Sequence, residues 1–210
     1  IGLAEQTGLI VPLGQWALGA ACEQLAAWAL KSHTAQLTLA VNVSVRQFRQ
    51  ADFVAEVLSL LECSGADPRL LRLEITESLL VDDMGGAIQK MGQLRAAGLR
   101  FSLDDFGTGY SSLAYLRQLP LEQLKIDKSF VRDVLTNPSD AAIAQTVLTL
   151  GQTLGLTVVA EGVETQAQCD FLKRHGCRMF QGYLFGRPLP LGQLGLDQPA
   201  TLELNPKGVG

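Results

Sequence analysis

Six short β-prone runs alternate with helical stretches along this chain, and that rhythm leaves very few folds open. The runs are Leu37–Ser44, Leu70–Thr76, Leu99–Asp105, Glu122–Asp127, Leu156–Gly162 and Cys177–Gly182. Ahead of them, from Ile10 to Lys31, the residues Leu13, Ala17, Ala20, Ala21, Gln24, Leu25 and Trp28 recur at helical spacing and predict a helix with one apolar face. Phe53, Val57, Leu60 and Leu61 predict a second helix before Gly65, and Ala87 to Ala97 a third, with Gly98 placed to close it in a left-handed conformation. Ser111 can cap a short helix after the third run, and Pro120 ends the approach to the fourth. Asn137 and Pro138 are a cap and first-turn pair for a helix striped by Ile143, Val147, Leu150 and Leu154 and ending at Gly155. Thr165 with Gln168 reads as a capping box for a last helix that ends near Gly176.

Strand and helix alternating with short connections specify a parallel sheet covered by helices, either a doubly wound open sheet or a barrel. The polar residues separate the two. Each run ends, on its C-terminal side, in a side chain with ligand chemistry: Asn42, Glu74, Asp104 with Asp105, Lys125 with Asp127, Glu161, and Gln181. An open sheet would string these ends along a line, whereas a barrel brings them to one mouth, so the α/β class with a TIM-like (β/α) barrel is expected. Such barrels take about 250 residues, and the 210 present leave about two strands to be expected upstream.

Composition narrows the function. The chain is 47% hydrophobic and 18% charged, which suits elements buried on more than one side. No apolar run approaches membrane-spanning length, and no signal-peptide pattern opens the chain. A net charge of −4 argues against holding a DNA or RNA polymer by bulk electrostatics. His33 and His175 lack metal-ligand or triad partners and are expected on helix surfaces. Cys22, Cys63, Cys169 and Cys177 form no CxxC pair, so a reduced, cytoplasmic protein is the expectation.

Carboxylates gathered in one mouth repel unless they are protonated or bridged by cations. With neither histidine nor thiolate in the set, hard oxygen ligands suit Mg²⁺ or Mn²⁺. The adjacent Asp104 and Asp105 can bridge two ions, an arrangement that suits displacement at phosphorus. Lys125 can orient a water or neutralise a phosphate; the alternative is a salt bridge to a barrel carboxylate. The loop from Asp105 to Ser112, DFGTGYSS, is a mobile gate or a tight turn. Its Phe106 and Tyr110, taken as exposed, offer either a dimer contact or local packing.

The segments LAEQTGLI, NVSVRQF (Asn42–Phe48), EITE (Glu74–Glu77), DDFGTGYSSL (Asp104–Leu113), LKIDKSFV (Leu124–Val131), VVAEGVET (Val158–Thr165) and QGYLFGRPLP (Gln181–Pro190) run in order over nearly the whole chain. Together they resemble the EAL-domain family, bacterial phosphodiesterases that hydrolyse cyclic di-GMP. The resemblance implies a TIM-like barrel holding two Mg²⁺ or Mn²⁺ ions and opening one phosphodiester bond to give linear pGpG. It implies that Asn42, Glu74 and Asp104 bind the first metal, and that Asp104 bridges to the second with Asp105 and Glu161 nearby. Glu161 would also help deprotonate the attacking water, Lys125 would hold that water, and Gln181 would make a polar contact near metal and substrate. Glu77 is similar to the glutamate that anchors the DFGTG loop. Asp127 and Arg187 are substrate-contact candidates, and Glu164 caps or pairs locally.

The glutamate of the EAL signature itself, a metal ligand in the family, is expected upstream of Ile1, which makes residues 1–210 an EAL-type domain lacking its N-terminal strand region. The same resemblance implies a homodimer and fusion to sensory or GGDEF domains, with no membrane contact by this domain. Two other readings use the same residues: a receptor that binds cyclic di-GMP without cleaving it, and an unrelated metal-dependent barrel of aldolase or enolase type.

Overall fold

Strands β1 (Leu39–Asn42), β2 (Leu71–Thr76), β3 (Arg100–Phe106), β4 (Gln123–Ile126), β5 (Thr157–Ala160) and β6 (Met179–Phe180) form one sheet in which every neighbour is parallel. The computed structural model describes residues 1–79, 83–107 and 116–196. Strand order follows chain order from β1 to β6 without reversal. A doubly wound sheet reverses direction at a switch point, so the consecutive order makes this a six-stranded arc of a TIM-like barrel. Among the described residues β1 and β6 do not pair with each other, and the arc is open.

The helices are α1 (Gly2–Thr7), α2 (Ile10–Ala29), α3 (Val45–Phe48), α4 (Phe53–Ser64), α5 (Met84–Ala96), α6 (Lys128–Arg132), α7 (Pro138–Leu154) and α8 (Gln166–Arg174). Two of the anticipated caps form: Asn137 accepts from the Ser139 N–H, and Thr165 and Gln168 bond reciprocally as a capping box. Gly65 and Gly155 close α4 and α7 in the left-handed region, which a side chain would strain.

Alternation along β2 shows how the strands are divided between two environments. Leu71, Leu73 and Ile75 are fully buried, while Arg72, Glu74 and Thr76 on the other face are only partly so. The first set joins Phe101, Leu103, Leu124, Ile126 and Ala160 in one cluster with Leu18 and Leu25 of α2, Val57 of α4, Met91 of α5 and Val147 of α7. The second set is left for the barrel side.

Several expectations shift. Strands β1, β4, β5 and β6 cover only the middle of their β-prone runs, whereas β2 loses only Leu70 and β3 runs one residue further, to Phe106. The buried stripe of α2 is Ile10, Leu18, Ala21, Cys22, Leu25 and Trp28, with Leu13 half-exposed and Ala20 exposed. That of α7 is Ala144, Val147, Leu148 and Gly151, one residue off the anticipated line, since periodicity sets spacing and packing sets phase. His33 lies in the turn after α2, not on a helix, and His175 caps α8; both are exposed. All four cysteines are free, and only Cys63 is exposed. Phe106 is buried at the end of β3 and packs in the core, the local-packing alternative. Tyr110, Ser111 and the rest of the loop after Gly107 lie outside the described residues.

Candidate functional site

The parallel registers put the strand-end side chains level with one another. Asn42 of β1 pairs with Glu74 of β2, Thr76 pairs with Asp104 of β3, and Lys125 of β4 lies beside Val159 of β5, two residues before Glu161. Lys125 stands at the centre. Its Nζ is 2.6 Å from Glu161 Oε1, 2.8 Å from Glu74 Oε2 and 3.1 Å from Asp104 Oδ1. One ammonium with three donors thus meets carboxylates from three other strands, which explains how a lysine only 4% exposed is tolerated. Burial pushes its pKa down, but the hydrogen bonds to Glu161 and Glu74 and the charges of Glu74 and Asp104 outweigh that and hold it above the ordinary lysine range. For Glu161 the balance is different: burial raises its carboxyl, the Lys125 ion pair opposes, and the charges of Asp104 and Glu74 add to the rise.

Asp104 and Asp105 reach the same place through a break in the ladder. Leu103 pairs with Leu124 and Phe106 with Ile126, so β3 spends three steps where β4 spends two. This is a β-bulge, and the extra residue sits at Asp105, whose φ of 53° is the only positive value at a non-glycine residue among those described. The Asp105 N–H donates to Asp104 Oδ1 at 3.1 Å, which helps to hold the turn. Bulges re-aim side chains, and here both aspartates bring a carboxylate oxygen within 4.8 Å of one on Glu161. Sequence reasoning paired the two aspartates but missed the bulge, which leaves no residue-type signature beyond the tolerance of Asp for positive φ.

Asp127 joins this group from β4 while serving as a cap. Its carboxylate accepts from the N–H and the hydroxyl of Ser129 at the start of α6 and is hydrogen-bonded to Asp105. Burial and the Asp104 charge push the Asp105 carboxyl up, whereas for Asp127 the bonds from Ser129 overcome burial and hold it low. The D-x-S spacing was the available sign of that cap.

Glu77 sits just behind the mouth, 7% exposed, and its Oε1 accepts the Gly107 N–H at 3.0 Å. Gly107 has φ of +101°, and a Cβ there would meet the Phe130 ring at 3.0 Å, so the residue following the bulge is held from two sides. Gln181 follows β6 and is tied by its backbone to Ala160 and Val163, with an exposed side chain. Arg187 stacks its guanidinium 4.5 Å above the Tyr183 ring, and among the described residues it forms no ion pair. Glu164 is exposed and contributes its N–H to Gln168 Oε1, a local role in starting α8.

The donor set fits a hard divalent cation. Asp104, Asp105 and Glu161 offer oxygen atoms close enough to share one ion, with Glu74 and Asn42 on the next two strands. One ammonium faces three carboxylates here, so Lys125 alone does not neutralise the cluster.

Comparison with known proteins agrees with this geometry. The EAL domain family model matches residues 1–188. The chain is 47% identical over 192 residues to the bifunctional diguanylate cyclase/cyclic di-GMP phosphodiesterase MucR of Pseudomonas aeruginosa, covering 91% of this chain and 28% of that one. It is 46% identical to the cyclic di-GMP phosphodiesterase NbdA of the same organism, over 92% of this chain and 25% of that one. The chain therefore spans about a quarter of the length of these curated relatives. The solved structure of the MucR phosphodiesterase in complex with c-di-GMP superposes with a TM-score of 0.88 at 47% identity, over 92% of this chain and 78% of that one. A manganese/cy-diGMP complex of BlrP1 from Klebsiella pneumoniae gives 0.75 at 31% identity, over 85% of this chain and 44% of that one. With the barrel arc, the acidic mouth and the family match in agreement, this chain belongs to the EAL domain family.

Proposed function

We propose that this domain hydrolyses cyclic di-GMP to linear pGpG with the help of Mg²⁺ or Mn²⁺. The observation that carries the reading is Lys125 held among Glu74, Asp104 and Glu161 at the C-terminal mouth of the barrel, where barrel enzymes keep their chemistry. Two ions are proposed, held by Asn42, Glu74, Asp104, Asp105 and Glu161. Bound there, divalent cations supply Lewis-acid stabilisation of charge on the phosphoryl oxygens.

The chain's own residues do the rest. Lys125, whose three N–H groups face Glu74, Asp104 and Glu161, would hold the attacking water with a donor released when those carboxylates turn to a cation. Glu161 accepts the water proton as the new P–O bond forms and the bond from phosphorus to the 3′ oxygen breaks; the leaving oxygen takes up a proton from solvent. Glu77 keeps Gly107, and with it the bulged Asp104–Asp105 pair, in place. Gln181, Asp127 and Arg187 are assigned to substrate contact, Arg187 with the Tyr183 ring beneath it.

The parent protein is proposed to carry cyclase or sensory modules beside this domain, to act in the cytoplasm and to dimerise. Support for the added modules comes from the name and greater length of MucR; among the described residues no helix is long and apolar enough to cross a membrane.

The test is hydrolysis of cyclic di-GMP, followed by chromatography for pGpG, in protein extended at its N-terminus, with Mg²⁺ or Mn²⁺ against chelator. Metal-dependent pGpG that disappears in Asp104→Asn is expected. Tight nucleotide binding without product at any metal concentration favours the receptor; preference for a sugar phosphate favours the unrelated barrel.

A further inference from the structure

The sheet face that is acidic at the C-terminal ends of the strands is basic at their N-terminal ends. Arg72 of β2 and Arg100 of β3 are register partners, on the same side of the pleat as Glu74 and Asp104. The acid they share is Glu122, whose Oε2 is 3.9 Å from Arg72 Nη2 and 3.7 Å from Arg100 Nη1. Both distances exceed hydrogen-bond range, so one carboxylate oxygen answers two guanidinium groups without bonding either.

Arg72 is otherwise poorly satisfied. Its side chain is 13% exposed, and its Nε is buried with no hydrogen-bond partner. Burial depresses its pKa, Glu122 opposes, and the adjacent Arg100 charge depresses it further. Ser102, the next residue on that face of β3, is fully buried, and its Oγ also lacks a partner. Like charges on directly opposed residues destabilise a sheet, and buried donors are normally paired. Two planar guanidinium forks with a hydroxyl behind them match the tetrahedral, multiply accepting surface of a phosphate.

We propose that Arg72, Arg100 and Ser102 form a binding site for a small tetrahedral oxyanion, a phosphate group, at the N-terminal mouth of the barrel, on the opposite end from the acidic cluster. The anion supplies the acceptors that Glu122 does not reach and relieves the repulsion between the two arginines. This assignment is independent of the proposed hydrolysis.

The experiment is thermal unfolding of this chain in EDTA, which keeps metal from recruiting phosphate to the other mouth. Inorganic phosphate, adenosine 5′-monophosphate and sodium chloride are each titrated in the low millimolar range at constant ionic strength. Phosphate is expected to raise Tm saturably, by about 3–5 °C at ten times its dissociation constant, with no saturable rise from chloride. An equal rise with the nucleotide identifies a terminal phosphate as an acceptable source, and a rise with phosphate alone restricts the site to the free ion. Arg72→Met is expected to abolish the increment while leaving the phosphate-free Tm unchanged or higher, since it removes an ill-paired buried charge. Arg100→Met, at the more exposed partner, should weaken phosphate at least about tenfold, and Glu122→Gln should tighten it. An equal response to phosphate and chloride, or an increment that survives both arginine substitutions, overturns the proposal.

Discussion

Lys125 Nζ lies 2.6 Å from Glu161 Oε1, the closest of three carboxylate contacts that this one ammonium makes across four strand ends. Since β4 and β5 are register neighbours and Glu161 is the first residue past β5, the contact ties the end of one strand to the end of the next. A buried charge so heavily shared supports the barrel mouth as well as any chemistry performed there.

Removing that charge leaves the acids facing one another. Lys125→Met is expected to destabilise the metal-free chain by about 3–5 kcal/mol, a fall in Tm on the order of 10 °C. Thermal unfolding in EDTA measures it, and added Mg²⁺ should recover part of the loss by replacing one cation with another. An unchanged Tm in EDTA would show that the ion pairs carry no stability.

The pH response should depend on metal. Glu161 and Asp105 are held above their ordinary values of 4.5 and 3.8, so the folded chain binds these protons more tightly than the unfolded chain. Their contribution to stability is full below those ordinary values and declines as pH rises through the folded ones. Asp127 runs the other way: its contribution is present above 3.8 and lost as pH falls through its lowered value. Divalent metal requires the ionised carboxylates. The difference in Tm between Mg²⁺ and EDTA is therefore expected to widen as pH rises above those ordinary values toward neutrality, and Glu161→Gln should flatten it. A constant difference across that range would contradict the assignment of Glu161 as a ligand.

Glu77 links the bulge to the residue that follows it, and binding should survive its loss better than turnover. Glu77→Ala orphans the Gly107 N–H, at a cost of about 1–3 kcal/mol, and is expected to lower kcat while cyclic di-GMP still binds. Glu77→Gln can keep the acceptor at Gly107 and should retain more activity. Turnover assays beside calorimetric binding separate these outcomes; equal loss of both in Glu77→Ala would place Glu77 in the binding surface.

The capping box of α8 provides a control remote from the acids. Thr165→Ala should cost about 1 kcal/mol. Gln168→Ala should cost more, because Gln168 accepts from the Glu164 and Thr165 N–H groups and donates to the Arg132 carbonyl. Neither should alter the response of Tm to Mg²⁺, a difference read directly from unfolding curves with and without the metal.

Much of the architecture is written in local pattern. Alternating runs, strand-end polar residues and the caps at Asn137 and Thr165 each depend on a few adjacent residues, so they survive without any knowledge of contacts. The short helices α3 and α6 were missed because one turn is too brief to show a period; only their cap residues, Ser44 and Asp127, mark them. Phe106 was misjudged for a related reason: it follows two aspartates in a loop-like motif, but the bulge carries the strand one residue further and turns its ring into the core.

The residue types at the mouth, and the hard-oxygen chemistry they imply, follow from the order of amino acids alone, because each acid closes its own strand. Their convergence does not. Consecutive parallel pairing brings four strand ends level, one inserted residue at Asp105 turns two neighbouring carboxylates toward Glu161, and Lys125 is placed where it must answer three acids. These are relations between segments tens of residues apart, set by ladder register and close packing, and no local pattern encodes them.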